Sequence, residues 1–116
     1  MIHEHRVYYC VPGQMGRLIN RFETHTFNFW RKHGLRAIGF WQVMIGDGYE
    51  DLHYILEWES LAERERRWNA FTGDPEWIAA YAETEKDGPI IRDVKSTILM
   101  PTRIAGAPLT YAGAAG

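Results

Sequence analysis

The chain has 116 residues, 46% of them hydrophobic and 24% charged, with a formal net charge of −2. That is the size and composition of one soluble globular domain, and its dispersed Lys and Arg give no basic face for nucleic acid. No apolar run approaches the roughly twenty residues of a membrane span. The opening Met1-Ile-His-Glu-His-Arg lacks the apolar centre of a signal peptide, and the single Cys10 allows no internal disulfide, so a cytoplasmic protein is expected.

Ile2 to Val11 alternates polar with apolar residues and predicts a first strand, closed by the turn Pro12-Gly13. From Gln14 to His33, the residues Met15, Leu18, Ile19, Phe22, Thr26, Phe29 and His33 fall on one face of a single crossover helix. Gly34 supplies the left-handed residue that ends it. Leu35 to Ile45 and Asp51 to Trp58 read as a hairpin turning at Gly46-Asp47-Gly48. Ser60 and Glu63 form a capping-box pair that starts the next helix. Its packing stripe is Leu61, Arg64, Trp68 and Phe71, with Glu63, Glu65, Arg66 and Arg67 turned mostly to water. Gly73 stops that helix. Asp74-Pro75 begins another, with Trp77, Ile78 and Tyr81 facing inward. After Gly88-Pro89, Ile90 to Met100 predicts the last strand.

The order β-α-β-β-α-β defines an α+β, ferredoxin-like antiparallel sheet with helices on one face, over residues 1–102. The other sheet face reads as apolar, with Val7 and Tyr9 or their neighbours Tyr8 and Cys10, together with Ile38, Phe40 and Met44. Such a face needs a partner, so two sheets are expected to pack together in a homodimer. Residues 103–116 have no period and are expected to be irregular or to lie along a partner subunit.

The motifs Ile2-x-Glu4-x-Arg6-x-Tyr8, Pro12-Gly13, His33-Gly34-Leu35, Gly39-Phe40-Trp41, Ile45-Gly46, Ser60-Leu61-Ala62-Glu63-Arg64 and Asp74-Pro75-Glu76-Trp77 closely resemble the NIPSNAP family. The resemblance spans about Ile2 to Met100. It implies a dimeric α+β barrel, the architecture shared with antibiotic-biosynthesis monooxygenases, EthD-like proteins and muconolactone isomerases, and it implies no particular reaction. The third strand departs from the family in carrying His53-Tyr54 where members often place an aliphatic residue followed by His, so no role for that family histidine carries over.

Five histidines invite a metal reading, but His25 and His33 stand two turns apart and no Cys or acid cluster completes a ligand set, so no metal and no cofactor are expected. His33, just before Gly34, has a structural role available at a helix C-terminus. Arg6 on a central strand needs Glu4, Glu57 or a ligand anion. A cleft walled by Trp30, Phe40, Trp41 and Trp58 around a polar tip of His25, Tyr8 and Arg6 would suit a small anionic or aromatic ligand. Two functions follow. One is a module that binds a small molecule or partner, using Arg6, His33, Trp41, His53 and Glu57. The other is a cofactor-free monooxygenase or isomerase of a small aromatic or enolic compound, with His25 moving the proton and Tyr8 polarising the substrate.

Overall fold

Strict alternation on the third strand sets the plane of the whole domain. In the computed structural model, which describes residues 1–104, Leu52, Tyr54, Leu56 and Trp58 are buried while His53, Ile55 and Glu57 between them are half-exposed. The elements are β1 (Ile2–Cys10), α1 (Met15–Arg21), a π-helical segment (Phe22–Thr26), α2 (Phe27–His33), β2 (Arg36–Gln42), β3 (Asp51–Trp58), α3 (Leu61–Thr72), α4 (Pro75–Thr84) and β4 (Ile91–Leu99). The strand order is β2-β3-β1-β4, antiparallel throughout. This is the ferredoxin-like arrangement expected from the sequence. Among the described residues, no helix is long and apolar enough to cross a membrane.

Register decides which residues of β1 see the helices. Glu4 sits between Leu56 and Ile98, Arg6 between Tyr54 and Ser96, and Tyr8 between Leu52 and Val94, so all three share the helix-covered face with the buried side of β3. The core there joins Leu52, Tyr54, Leu56 and Trp58 to Leu18, Phe22, Trp30 and Phe71 from the helices. Rings meet mostly edge to face: Phe22 with Trp30 at 5.5 Å and with Phe40 at 5.2 Å, Trp30 with Phe71 at 6.4 Å. That geometry sets the electropositive ring edge against the electronegative face.

Several local expectations hold and several do not. Gly34 adopts φ 75°, as the end of α2 requires, and Leu35 N closes the turn on the Trp30 carbonyl. Ser60 Oγ accepts from Glu63 N at 3.1 Å, and Asp74 Oδ1 accepts from Glu76 N at 2.9 Å with Pro75 in the first turn. The reciprocal half of the capping box is absent. Glu63 instead turns inward, buried, with its carboxylate 3.1 Å from the Arg36 guanidinium. On α3 the expected stripe is therefore corrected in the first turn, because Leu61 is exposed and Glu63 is covered; on α4, Ile78 likewise faces out.

The helix expected over 14–33 is broken by the π-helical segment, which inserts an extra residue per turn. The composition of the outer sheet face also differs from the expectation. Phe40 packs into the core, Cys10 and Tyr8 turn toward the helices, and Met44 lies in the exposed loop beyond β2. The outer face carries His3, His5, Val7 and Tyr9 from β1, beside Asp51, His53, Ile55 and Glu57 from β3 and Lys95, Thr97 and Leu99 from β4. It mixes apolar and titratable groups. The expected tail beyond residue 104 lies outside the described residues.

Trp30 is buried and meets five other rings, whereas Trp77 is only half-buried. Trp30→Ala should therefore cost about 3 to 5 kcal/mol in urea denaturation, and Trp77→Ala less than about 3 kcal/mol. Equal losses would mean that the helix pair, and not the ring cluster, anchors the helical layer.

Candidate ligand site

A charge buried on the central strand organises the polar side of the site. Glu4 is fully buried, and every lone-pair direction of its carboxylate is engaged. Arg64 donates Nε to Oε1 at 2.7 Å and Nη2 to Oε2 at 3.0 Å, a bidentate fork. Trp58 Nε1 donates to Oε1 at 3.0 Å, Arg6 Nη1 to Oε2 at 3.0 Å, and Ser96 Oγ also donates to Oε2. Burial alone would raise the Glu4 pKa. The hydrogen bonds from Arg64 and Ser96 and the charge of Arg6 outweigh it and hold the carboxyl at about 2.

Arg6 leads from this knot toward the cavity. Its Nε donates to Tyr54 Oη at 2.7 Å, and Tyr54 Oη lies 2.9 Å from Tyr8 Oη. The guanidinium also stacks 4.4 Å from the centre of the Trp68 ring. Burial pushes the Tyr54 hydroxyl well above the usual phenol range, Tyr8 adding to that push and Arg6 opposing it. Tyr54 therefore keeps its proton at neutral pH.

Tyr8 is the outermost member of this chain and lines a cavity of about 370 Å³ between the sheet and the helical layer. Phe22, Trp30, Trp68, Phe71, Trp77 and Tyr81 form its aromatic walls, and Arg21, Arg92 and Asp93 supply its charges. The π-helical segment places Phe22 and Thr26 in the wall, since both are buried and border the cavity. Thr26 Oγ1 donates to the Arg21 carbonyl five residues back, the spacing of a π turn. Arg21 is buried against Tyr81, with its guanidinium 4.5 Å from that ring and Nη1 donating to Thr84 Oγ1 at 3.2 Å.

The residues picked out by the sequence are divided among five places. Tyr8 borders the cavity and Arg6 stands behind it, joined through Tyr54. His25 is half-buried on the π-helical segment and is not among the cavity's lining residues, so the expected grouping of His25 with Tyr8 and Arg6 is not formed. His33 pairs with Asp74 at 2.7 Å beside Lys32 at 2.8 Å, clamping the end of α2 to the start of α4. The helix-terminal role weighed for it becomes a side-chain tie, and Arg67 Nη1 is the group that donates to the His33 carbonyl. The Asp74 carboxyl, receiving from Lys32 and His33, is held well below the usual carboxylate range.

Glu57 and His53 lie on the outer sheet face. Glu57 is 3.6 Å from His3 and 3.8 Å from Arg36, so the partner of Arg6 is Glu4 and not Glu57. His53 Nδ1 meets His5 Nε2 at 3.0 Å with the rings stacked; burial, then the charges of His53 and Lys95, lower the His5 pKa and favour its neutral form. Trp41 is half-exposed at a shallower apolar groove with Phe27, Phe40 and Leu52. Burial raises the Cys10 thiol, which opposes a nucleophilic role. Among the described residues, no group of three or more His, Cys, Asp or Glu is placed to hold a metal.

Two contributors were hidden in the sequence. Arg21 borders the cavity from the last turn of α1, although it has no place in the apolar stripe read from Gln14 to His33. Ser96 meets Glu4 across the β1–β4 register, a pairing that strand prediction leaves open.

Fold and site together define a ferredoxin-like α+β protein with an aromatic-walled cavity under its helices. The NIPSNAP family model matches residues 3–105, and the chain belongs to that family. Among solved structures it is similar to an uncharacterized NIPSNAP-like domain protein from Burkholderia xenovorans, at 24% identity and TM-score 0.79, covering 90% of this chain and 87% of that one. A NIPSNAP family protein from Agrobacterium tumefaciens gives 20% identity and TM-score 0.79 over 92% and 98% of the two chains. A putative antibiotic biosynthesis monooxygenase from Nitrosomonas europaea shares the fold more distantly, at 10% identity and TM-score 0.60 over 87% and 98%. The comparison with curated proteins found no match.

The Glu4 carboxyl is lowered by folding from 4.5 to about 2, so it contributes stability above about pH 4.5 and loses it as pH falls toward about 2. Asp74 acts in the same direction. Glu4→Gln should flatten this acid limb and lower stability by about 3 to 5 kcal/mol at pH 7, because it strands two guanidinium groups. Chemical denaturation across pH would measure both effects, and an unchanged acid limb would show that other carboxylates carry it.

Proposed function

We propose that this protein is a homodimeric binding module that holds a small, flat, mostly apolar molecule in the cavity between sheet and helices, without turning it over. The observation that carries this reading is the cavity's lining: seven aromatic rings, with no histidine and no cysteine among the lining residues. Rings give a flat ligand large contact area, while proton transfer near neutral pH asks for a group that titrates there. Arg6 serves this site by holding Tyr54 and Tyr8 in place. His33, Trp41, His53 and Glu57 sit apart from the cavity, so a direct role in binding would have to involve other surfaces.

The dimer is supported by the family resemblance and by the outer sheet face, where Val7, Tyr9, Ile55 and Leu99 lie among the titratable groups. Such a face, covered by a second sheet, would bury more than about 2,000 Å² in total. A cytoplasmic setting is supported by Cys10, a buried free thiol. No cofactor is required by this reading.

The second reading is a cofactor-free monooxygenase or isomerase of an enolic aromatic compound, favoured by the shared fold with a putative antibiotic biosynthesis monooxygenase. In it His25 carries the proton, Tyr8 polarises the substrate and Arg6 stabilises the anion. It needs His25 to reach the cavity from the π-helical segment.

Incubating the protein with 2-naphthol in air separates the two readings. The expected result is saturable binding, with the naphthol recovered unchanged by chromatography from wild type and His25→Ala alike. A product formed by wild type and lost in His25→Ala would replace the module with the enzyme. Analytical ultracentrifugation should show a dimer at micromolar concentration that Ile55→Glu dissociates; a wild-type monomer would remove the sheet-to-sheet interface.

A further inference from the structure

Counting protons in the Arg6–Tyr54–Tyr8 chain leaves one over. Arginine only donates, so Arg6 Nε fills one lone pair of Tyr54 Oη, and the two phenols share a single contact at 2.9 Å. Two hydroxyl protons then serve one hydrogen bond. If Tyr54 donates to Tyr8, the spare proton is on Tyr8, at the cavity; if Tyr8 donates to Tyr54, the spare proton is on a residue with no exposed surface. Leaving a donor unpaired in the core is the costlier choice, so the spare donor belongs to Tyr8. Among the described residues, Tyr8 Oη has no acceptor.

A second unpaired donor belongs to a residue that lines the same space. Trp30 is buried, lines the cavity, and its Nε1 has no hydrogen-bond partner. Tyr8 and Trp30 both pack on Phe22 and Tyr54, so the two residues belong to one aromatic cluster. The charge behind them is also unbalanced. Arg6 and Arg64 share the single carboxylate of Glu4, which leaves the knot with one net positive charge adjoining the phenol chain.

Resting on the cavity reading above, we infer that the ligand is an aromatic compound carrying an oxygen acceptor, a phenolate, ketone or carboxylate, which receives hydrogen bonds from Tyr8 Oη and Trp30 Nε1. The Arg6 charge polarises Tyr54, and Tyr54 in turn strengthens Tyr8 as a donor. Arg6 and Tyr54 are positioning residues in this arrangement. The rings supply contact area, and the two donors supply selectivity. A hydrocarbon of the same shape would leave both donors unpaired.

The test is titration of tryptophan fluorescence with three probes of similar shape: 2-naphthoate, 2-naphthol and naphthalene. Wild type should bind naphthoate or naphthol at least about tenfold more tightly than naphthalene, the range expected for a hydrogen bond to a charged or strongly polar group. Tyr8→Phe should cut that preference to within about threefold while leaving naphthalene affinity unchanged, and Trp30→Phe should reduce it by about tenfold. Tyr54→Phe, which removes the relay without altering the lining, should weaken naphthoate and naphthol selectively. Thermal melts of each variant establish folding, and Tyr54→Phe serves as the second arm should Tyr8→Phe fold poorly. Equal affinity of wild type for all three probes would overturn the acceptor inference and leave the cavity reading standing. Uniform weakening of all three probes in Tyr8→Phe would reduce Tyr8 to a wall and overturn it likewise. An unchanged preference in Trp30→Phe would mean that neighbouring ring faces satisfy that N–H, and would overturn the two-donor form. No binding of any probe at millimolar concentration would overturn the cavity reading and this inference together.

Discussion

A carboxylate without solvent on the middle strand of a sheet is the constraint that the rest of this domain answers to. Glu4 is fully covered, and a buried ion is tolerated only when its charge and its lone pairs are both matched. The match draws on four elements: Arg6 from the same strand, Trp58 from the end of β3, Arg64 from α3 and Ser96 from β4. Helix α3 is thereby tied to the sheet by a bidentate fork as well as by Trp68 and Phe71. Removing one partner would leave charge stranded, so the knot enforces one docking of helix on sheet where an apolar surface alone would allow sliding.

The knot also transmits its excess charge. Arg6 touches Glu4 with one nitrogen and Tyr54 with another, and Tyr54 touches Tyr8 at the cavity edge. A structural ion pair and a ligand-facing hydroxyl are in this way two ends of one hydrogen-bonded chain. The wall opposite includes Phe22 and Thr26 of the π-helical segment, beside Arg21.

The two faces of the sheet have separate chemistries. Toward the helices, the buried Glu4 carboxylate is saturated by its five donors. On the outer face, His3, His5, His53, Glu57, Arg36 and Lys95 are interleaved with Val7, Tyr9 and Ile55. The His5–His53 stack and the Glu57 contacts organise that face without any help from the cavity. Histidines that looked in sequence like candidates for one site therefore belong to different surfaces: His53 to the outer face, His33 to the α2–α4 clamp, and His25 to the flank of the π-helical segment.

The sequence by itself determined the order of elements, the antiparallel ferredoxin-like sheet, the caps at Ser60 and Asp74, the left-handed Gly34 and the family, because each is written in local periodicity or in a short run of neighbouring residues. It also offered Glu4, two positions along the same strand face, as one possible partner for Arg6 beside Glu57 and a ligand anion. Only the tertiary structure decided that Arg64 and Ser96 complete that pair, that Glu63 turns inward, that Phe40 belongs to the core, and that Arg21 and Thr26 line a cavity which His25 does not reach. Those outcomes depend on strand register and on a π turn. Both are settled by how the helical layer packs on the sheet, over separations as long as the 92 residues between Glu4 and Ser96, and no local pattern encodes them.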